Sequence, residues 1–439
     1  MNFLLAANWG QAQNVPKETF YLGGIQVGES DQSHWTSSMM ASGMNTVEVT
    51  VYARQGEWDS DQLWFEEQDI GAMNQIRAAK KANMHVILVL RIALDHAYDR
   101  NKFLWHGMIM PRSKQALNAW FQQYTDFVLK WSKIAEDEGV DAIAIGSELN
   151  ALSATVPLTE QSPHHRFMRC DSSQRILENR ALKYKEQIGK DIWIQGYKQY
   201  DSLEMLIDDR IQANIAWAKQ ITYAGLPDSL ERMNERRALI QKKWLKLIRK
   251  TRRQFSGQLT YAANFDNYFE VNFWEQLDFI GINAYFPLRQ PESAQMNNTE
   301  LRKHLKTGWE EVFQAIDSFC LEQQITHMPL LFTELGYTNY ADATTEPWSG
   351  FGYSIVGEAE NEKLIVWNQQ KLNPEERAIA IETLHAVVQS QSIKLQGLLY
   401  WKFTTMASQL SIEPFAILLN TKVNSSPDPG LQSLQLFAE

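Results

Sequence analysis

A chain of 439 residues with 44% hydrophobic and 21% charged side chains has the makeup of a globular protein with a large core. Its formal net charge of −10 argues against nucleic acid as a partner, and no apolar run reaches the roughly 18 residues needed to span a bilayer. Two cysteines, Cys170 and Cys320, exclude a disulfide framework and a cysteine-rich zinc site.

The N-terminal run 1–7 is apolar but has neither a basic leader nor a small-residue cleavage site. Compartment therefore stays open, with a secreted or periplasmic location favoured over the cytoplasm. Strand-like runs follow at 21–27, 46–52 and 85–91, and a helical pattern at 68–83 leads into the third of them. A long helical pattern at 114–139 ends in Asp137-Glu-Gly139 and leads into a fourth strand at 142–147. The rhythm then breaks. Residues 151–237 are polar, with helical runs of their own at 173–189 and 208–219, and no linker rich in Pro, Gly or Ser sets them apart. They read as a mainly helical insertion after strand four. Within them His164, His165 and Cys170 match no zinc-ligand spacing.

The segment 236–253 is basic, but Ile240, Trp244, Leu247 and Ile248 recur at helical spacing, which predicts an outer helix with its charges in solvent. Strands are expected at 258–262, 279–284, 330–333 and 397–401. The helix before the last is announced by Asn373-Pro-Glu-Glu376, a proline at the first turn with acidic residues behind it. Eight strands alternating with helices define an α/β fold, a (β/α)8 barrel, as one catalytic domain over 1–439 with the insertion 151–237 at its catalytic face. The 15 Trp, 15 Tyr and 20 Phe suit either bulky barrel filler or sugar stacking, and composition alone favours filler.

Two of these strands end in a small residue and then a carboxylate, Gly146-Ser-Glu148 on strand four and Phe332-Thr-Glu334 on strand seven. The C-terminal ends of barrel strands face one cleft, and paired carboxylates across such a cleft hydrolyse glycosidic bonds. Around them, Tyr285 after strand six is positioned to orient Glu334, and Arg91 ending strand three is a nearby cation. Trp401 on strand eight offers a floor for a sugar ring. Asn264 and Asp266 after strand five and Asn283 on strand six offer polar groups to sugar hydroxyls. No glycine-rich phosphate loop and no histidine cluster is present, so the sequence asks for neither metal nor cofactor. The expected partner is an oligosaccharide or polysaccharide; the sequence carries no signal for oligomeric state.

The runs Gly257-Gln-Leu-Thr-Tyr-Ala-Ala-Asn-Phe-Asp266 and Phe273-Trp-Glu-Gln-Leu-Asp-Phe-Ile-Gly-Ile-Asn-Ala-Tyr-Phe-Pro287 closely resemble glycoside hydrolase family 113, a family of clan A barrels known for β-mannanases. Gly146-Ser-Glu148-Leu, Phe332-Thr-Glu334-Leu-Gly-Tyr337, and the stretch from Trp105-His-Gly107 to Trp120-Phe-Gln-Gln-Tyr124 add to the resemblance, which adds Trp105 to the substrate-binding candidates. It implies a retaining β-1,4-glycanase, most directly on mannan, with Glu148 as acid/base and Glu334 as nucleophile. Other β-glycans, or glycan binding without turnover, are the alternatives. Clan A enzymes commonly carry Asn where this chain has Ser147, which leaves open the group that holds the sugar 2-hydroxyl. A retaining enzyme is expected to hold its carboxyl groups about 5–5.5 Å apart and to keep its acid/base protonated at the start of the cycle.

Overall fold

A computed structural model of the chain describes residues 19–66, 69–101, 104–154, 193–195, 198–202, 205, 208–209, 212–213, 216, 230–290, 296–345, 347, 353–356, 363–366, 371–391, 394–419 and 427–438. The run 1–7, His164, His165, Cys170, the helical run expected at 173–189 and most of that at 208–219 lie outside them.

Eight parallel strands form the wall: β1 (Tyr21–Gln26), β2 (Thr46–Gln55), β3 (His85–Leu94), β4 (Ala142–Ser147), β5 (Gln258–Asn264), β6 (Ile280–Ala284), β7 (Leu330–Leu335) and β8 (Leu395–Thr404). They pair in chain order, and β8 pairs back with β1, Gly24 opposite Tyr400, so the sheet closes. The longer helices are α1 (Gln32–Ala41), α2 (Ile70–Lys81), α3 (Lys114–Glu138), α4 (Leu230–Arg252), α5 (Asn298–Glu322), α6 (Pro374–Gln391) and α7 (Pro429–Gln435). One follows each strand except β5, which reaches β6 through two short 3-10 turns, Tyr268–Glu270 and Trp274–Gln276. This is the (β/α)8 barrel.

Local chemistry explains the element ends. Asp69 caps α2 by accepting from the Ala72 N–H, and Ser113 caps α3 by accepting from Ala116. Asn297 and Glu300 form a reciprocal capping box at α5. Gly139, at φ 67°, ends α3 in the left-handed conformation that glycine adopts without strain. On β3, Ile87 and Val89 belong to the inner cluster of the barrel, while Val86, Leu88 and Leu90 pack in the larger core with the helices. A strand covered on both faces needs such an unbroken apolar run.

Most of the large aromatics are filler. Trp35, Trp58, Trp120, Trp244, Trp274 and Trp309 are fully buried. Trp120 stacks on Tyr124 with centroids 4.7 Å apart, and Trp244 on Phe273 at 5.2 Å. The indole N–H of Trp120 donates to Gln55 Oε1 (2.8 Å) and that of Trp244 to the Leu152 carbonyl (2.7 Å). Cys320 is buried and unpaired.

The structure departs from the sequence expectation in three places. Five strands run on past their expected ends: β2 to Gln55, β3 to Leu94, β5 to Asn264, β7 to Leu335 and β8 to Thr404. Each expected end falls at or just before the first polar residues at the barrel mouth, yet Asn264, Glu334 and Lys402 all lie within the extended strands. Helix α4 starts at Leu230, ahead of the segment 236–253 that predicts it and inside the segment assigned to the insertion. The charges that begin the basic segment are not in solvent: Arg236 and Arg237 are buried. Arg236 Nη1 donates to the Pro111 carbonyl at 3.0 Å, and Arg237 pairs with buried Glu270 at 3.2 Å. Helical spacing located the apolar stripe of α4 but not the neighbouring loops that cover its first turns. Among the described residues, no helix is long and apolar enough to cross a membrane.

Candidate active site

The mouth of the barrel is organised around one buried cation. Arg91, on β3, donates from Nε to Ser147 Oγ at 3.0 Å and from Nη2 to Glu334 Oε1. The same Nη2 lies 3.9 Å from Glu148 Oε2, so a single nitrogen touches both carboxylates. The Trp401 ring lies under the guanidinium, 5.0 Å from its carbon. Burial opposes the charge of Arg91, but Glu148, then Tyr52, Glu48 and Tyr285, raise its pKa and keep it a cation.

Glu334 is 2% exposed and accepts from three donors: Arg91, Asn283 Nδ2 at 3.0 Å, and the Tyr285 hydroxyl at 2.6 Å. Such a set suits the ionised carboxylate, which can only accept. Asn283 stands opposite Glu334 in the β6–β7 register, and its own Oδ1 accepts from Thr333 Oγ1 at 2.7 Å. Burial, then the charge of Glu148, holds the Tyr285 phenol well above its ordinary pKa, so it remains a donor.

Glu148 reaches the cleft by a strained turn. Its φ is +52°, a left-handed conformation that costs a non-glycine residue on the order of 1–3 kcal/mol. The β4–β5 register slips between Ala144 and Ser147, and the Glu148 N–H donates to the Ala262 carbonyl at 2.8 Å. Gly146 precedes it because no Cβ fits there: one would lie 2.9 Å from Tyr124 Oη and 3.0 Å from the rings of Trp244 and Tyr261. His106 Nε2 donates to Glu148 Oε2 at 3.0 Å, and the ring of Trp105 packs edge-on to His106 with centroids 5.1 Å apart.

The protonation state of Glu148 corrects the expectation. Burial raises its pKa, but the His106 hydrogen bond, the Arg91 charge, the charge of His106 and the nearby Asn283 amide outweigh it and bring the value down to about 2. These neighbours favour the carboxylate form of Glu148.

Ser147 Oγ is fully engaged, accepting from Arg91 and from Asn283 Nδ2 at 3.3 Å. Asn283 thus bridges Ser147 and Glu334. Asn264 Oδ1 accepts from the Phe265 N–H at 2.9 Å, capping its own turn, and Asp266 faces Asn150 Nδ2 at 3.5 Å. Of the expected residues, Arg91, Glu148, Asn283, Tyr285, Glu334 and Trp401 therefore form one contact network, with Trp105 behind His106. Among the described residues, no group of three or more His, Cys, Asp or Glu side chains could hold a metal ion.

Two members of the site escaped the sequence. His106 had one signal, its place inside the Trp105-His-Gly107 run. Glu48 had none, since in Thr46-Val-Glu48-Val-Thr-Val-Tyr52 it falls on the polar phase of the alternation. Glu48 is 1% exposed; its Oε1 accepts from Thr50 Oγ1 at 3.3 Å while Oε2 has no partner. Burial raises its pKa to about 7, against the lowering effects of Arg91 and Thr50.

The sign of its contribution to stability follows. Between its ordinary 4.5 and about 7 the folded chain keeps a proton that the unfolded chain releases, so stability falls as pH rises through that window. The full effect is about 3 kcal/mol. Glu48→Gln should remove this slope. In urea denaturation at pH 4.5 and pH 8, the variant is expected to gain up to about 3 kcal/mol on wild type across the interval; parallel behaviour of the two proteins would refute the buried, protonated Glu48.

A (β/α)8 barrel with two glutamates converging at the ends of strands four and seven defines a class of protein: the chain is a glycoside hydrolase. The sequence matches glycoside hydrolase family 113 over residues 26–156 and 183–377, and the chain belongs to that family. Among solved structures, it is similar to a GH113 β-1,4-mannanase in a complex, with 13% identity, a TM-score of 0.57, and coverage of 96% of this chain and 99% of that one. It is also similar to the GH113 β-mannanase AaManA of Alicyclobacillus acidocaldarius in complex with ManMIm, with 13% identity, a TM-score of 0.54, and coverage of 96% and 98%. No curated protein matches the sequence.

Proposed function

We propose that this enzyme is a retaining β-glycosidase that cleaves β-1,4-linked glycan, with mannan or manno-oligosaccharides as its first substrate class. The observation that carries the mechanism is the nitrogen shared by both carboxylates. Arg91 Nη2 bonds Glu334 Oε1 and lies 3.9 Å from Glu148 Oε2, so one cation stands between the two carboxylates. A close pair of this kind supports the retaining reading, which requires about 5–5.5 Å between the carboxyl groups against roughly 6.5–9.5 Å for inversion.

In this reading Glu334 attacks the anomeric carbon while Glu148 protonates the departing oxygen, giving a glycosyl ester on Glu334. Glu148 then takes a proton from water, which attacks the same carbon and releases Glu334. The second step needs Glu148 ionised, the form its neighbours favour. For the first, the leaving oxygen competes with His106 for Glu148 Oε2. Displacing that bond removes the largest lowering influence and lets burial raise the carboxyl. Asn283, which bonds both Ser147 and Glu334, is the candidate for holding the sugar 2-hydroxyl in place of the more usual asparagine at 147.

The mannan preference rests on the family and on the β-1,4-mannanase activity named for its structural relatives. The chain is read as one catalytic domain, with the segment after β4 walling the catalytic face. The family match omits residues 157–182 of that segment. The test is hydrolysis of β-1,4-linked manno-, gluco- and amino-sugar oligosaccharides, with the anomeric form of the first product followed by NMR. Turnover of the manno series with initial β product is expected. An initial α product would refute the nucleophile, and turnover confined to another series would refute the substrate class.

A further inference from the structure

Of the described Trp, Tyr and Phe side chains, those exposed by more than a third are Tyr52 (46%), Trp64 (53%) and Tyr98 (40%). All three lie at one place, the mouth-side ends of β2 and β3. In a protein that buries its aromatics so thoroughly, this clustering needs a cause.

The geometry points toward the cleft. On β2, Tyr52 and Arg54 are exposed while Val51, Ala53 and Gln55 are buried, so the even-numbered positions face the mouth. Tyr52 is in register with Arg91, the hub of the carboxylate network. Gly56 is the first residue past β2, and a Cβ there would lie 3.0 Å from Tyr98 Cζ and 3.3 Å from Trp64 Cη2. The two rings therefore meet over the glycine at the mouth-side end of the strand that carries Tyr52. Gly56 is four residues beyond Tyr52, roughly 13 Å along an extended strand. That is further than one pyranose ring reaches.

The platform is built rather than loose. Trp64 is tied to Arg54 by reciprocal backbone bonds of 2.7 and 2.9 Å. Gln55 Nε2 donates to the carbonyls of Glu57 (3.0 Å), Trp58 (3.3 Å) and Ser60 (3.1 Å), pinning the loop that leads to Trp64. Fully buried Asn101 joins the two loops: Nδ2 donates to the carbonyls of Gly56 (2.6 Å) and Asp95 (2.7 Å), and Oδ1 accepts from the Trp58 N–H at 3.0 Å. Two large rings held in water by a buried polar frame are preorganised for a ligand with one apolar face and a polar edge. A pyranose ring is such a ligand.

We infer that Trp64 and Tyr98 form a distal glycan subsite, stacking a sugar of the bound chain beyond those held at Glu148 and Glu334; the inference rests on the glycosidase reading above. Tyr52 continues the track inward toward Arg91.

The test compares wild type with Trp64→Ala, Tyr98→Ala and Trp64→Phe on the hydrolysed oligosaccharide series, from disaccharide to hexasaccharide, and on a small aryl glycoside. In wild type, kcat/KM should climb with chain length. Either alanine variant should remove about tenfold of that climb, with aryl glycoside turnover unchanged, and Trp64→Phe should retain most of it. A wild-type length dependence in the alanine variants, or a uniform loss that includes the aryl glycoside, would overturn the subsite. Should wild type hydrolyse no glycan at all, the glycosidase reading fails by itself. The subsite is then judged by retardation on gels containing soluble β-mannan: retardation lost in Trp64→Ala supports it, and equal retardation rejects it.

Discussion

Glu334→Ala is expected to lower kcat on an oligosaccharide by at least ~10⁴-fold, on the scale of removing a covalent nucleophile elsewhere. The reason lies in what surrounds it. Three donors aim at the two oxygens of Glu334, two of them neutral and one a buried guanidinium. No other carboxylate bonds Arg91 so directly, since Glu148 stands 3.9 Å away. Alanine leaves a small polar cavity beside Arg91 that an anion can enter. With an activated aryl β-glycoside, added azide should therefore restore turnover and yield the α-glycosyl azide, because one direct displacement inverts the anomeric carbon. The same inverted product would not arise if Glu334 merely stabilised charge. Unimpaired hydrolysis by Glu334→Ala would end the assignment. Glu334→Gln should be as inactive, because its amide turns an N–H donor toward a nest of donors.

Much of this site was legible because barrel chemistry follows strand order. A small residue followed by a carboxylate at the ends of strands four and seven is a local signal, and so is a tyrosine just past strand six. What the sequence could not express is contact across the mouth. His106 reaches Glu148 only because the loop after β3 folds over the end of β4, and nothing in Trp105-His-Gly107 states that distance. Glu48 reads as an ordinary strand carboxylate until the barrel closes around it beneath Arg91. The pKa of Glu148 went the wrong way for the same reason, since burial was foreseeable and the histidine was not. Strand ends failed on a different principle. Hydrophobic pattern stops at Arg91 and before Glu334, yet the backbone ladder continues because polar side chains at a mouth do not break a sheet. The first turns of α4 show the converse. Arg236 and Arg237 look solvated by composition, and the loops carrying Pro111 and Glu270 bury them.

Removing Glu148 should separate the two halves of the reaction. Glu148→Ala is expected to lower kcat/KM on oligosaccharides by roughly 10²–10⁴-fold, the usual worth of general acid catalysis. On a dinitrophenyl glycoside, whose leaving group needs no proton, kcat/KM should be nearly unchanged. Hydrolysis of the glycosyl ester then becomes limiting, so a burst of dinitrophenol is expected, and azide should speed the steady state and give the β-glycosyl azide. His106 supplies a finer test of how Glu148 is tuned. The folded pKa of Glu148 is depressed to about 2, with the His106 bond the foremost lowering influence. His106→Ala deletes that bond and leaves burial opposed chiefly by Arg91, so the pKa must rise. A hydrogen bond to a charged group is worth about 1.5–3 kcal/mol, or roughly one to two pH units. Because the first step needs Glu148 protonated, the alkaline limb of kcat/KM should move up by that amount in His106→Ala. An alkaline limb that stays in place or moves down would mean that His106 does not govern the acid, and that Glu148 acquires its proton by another route.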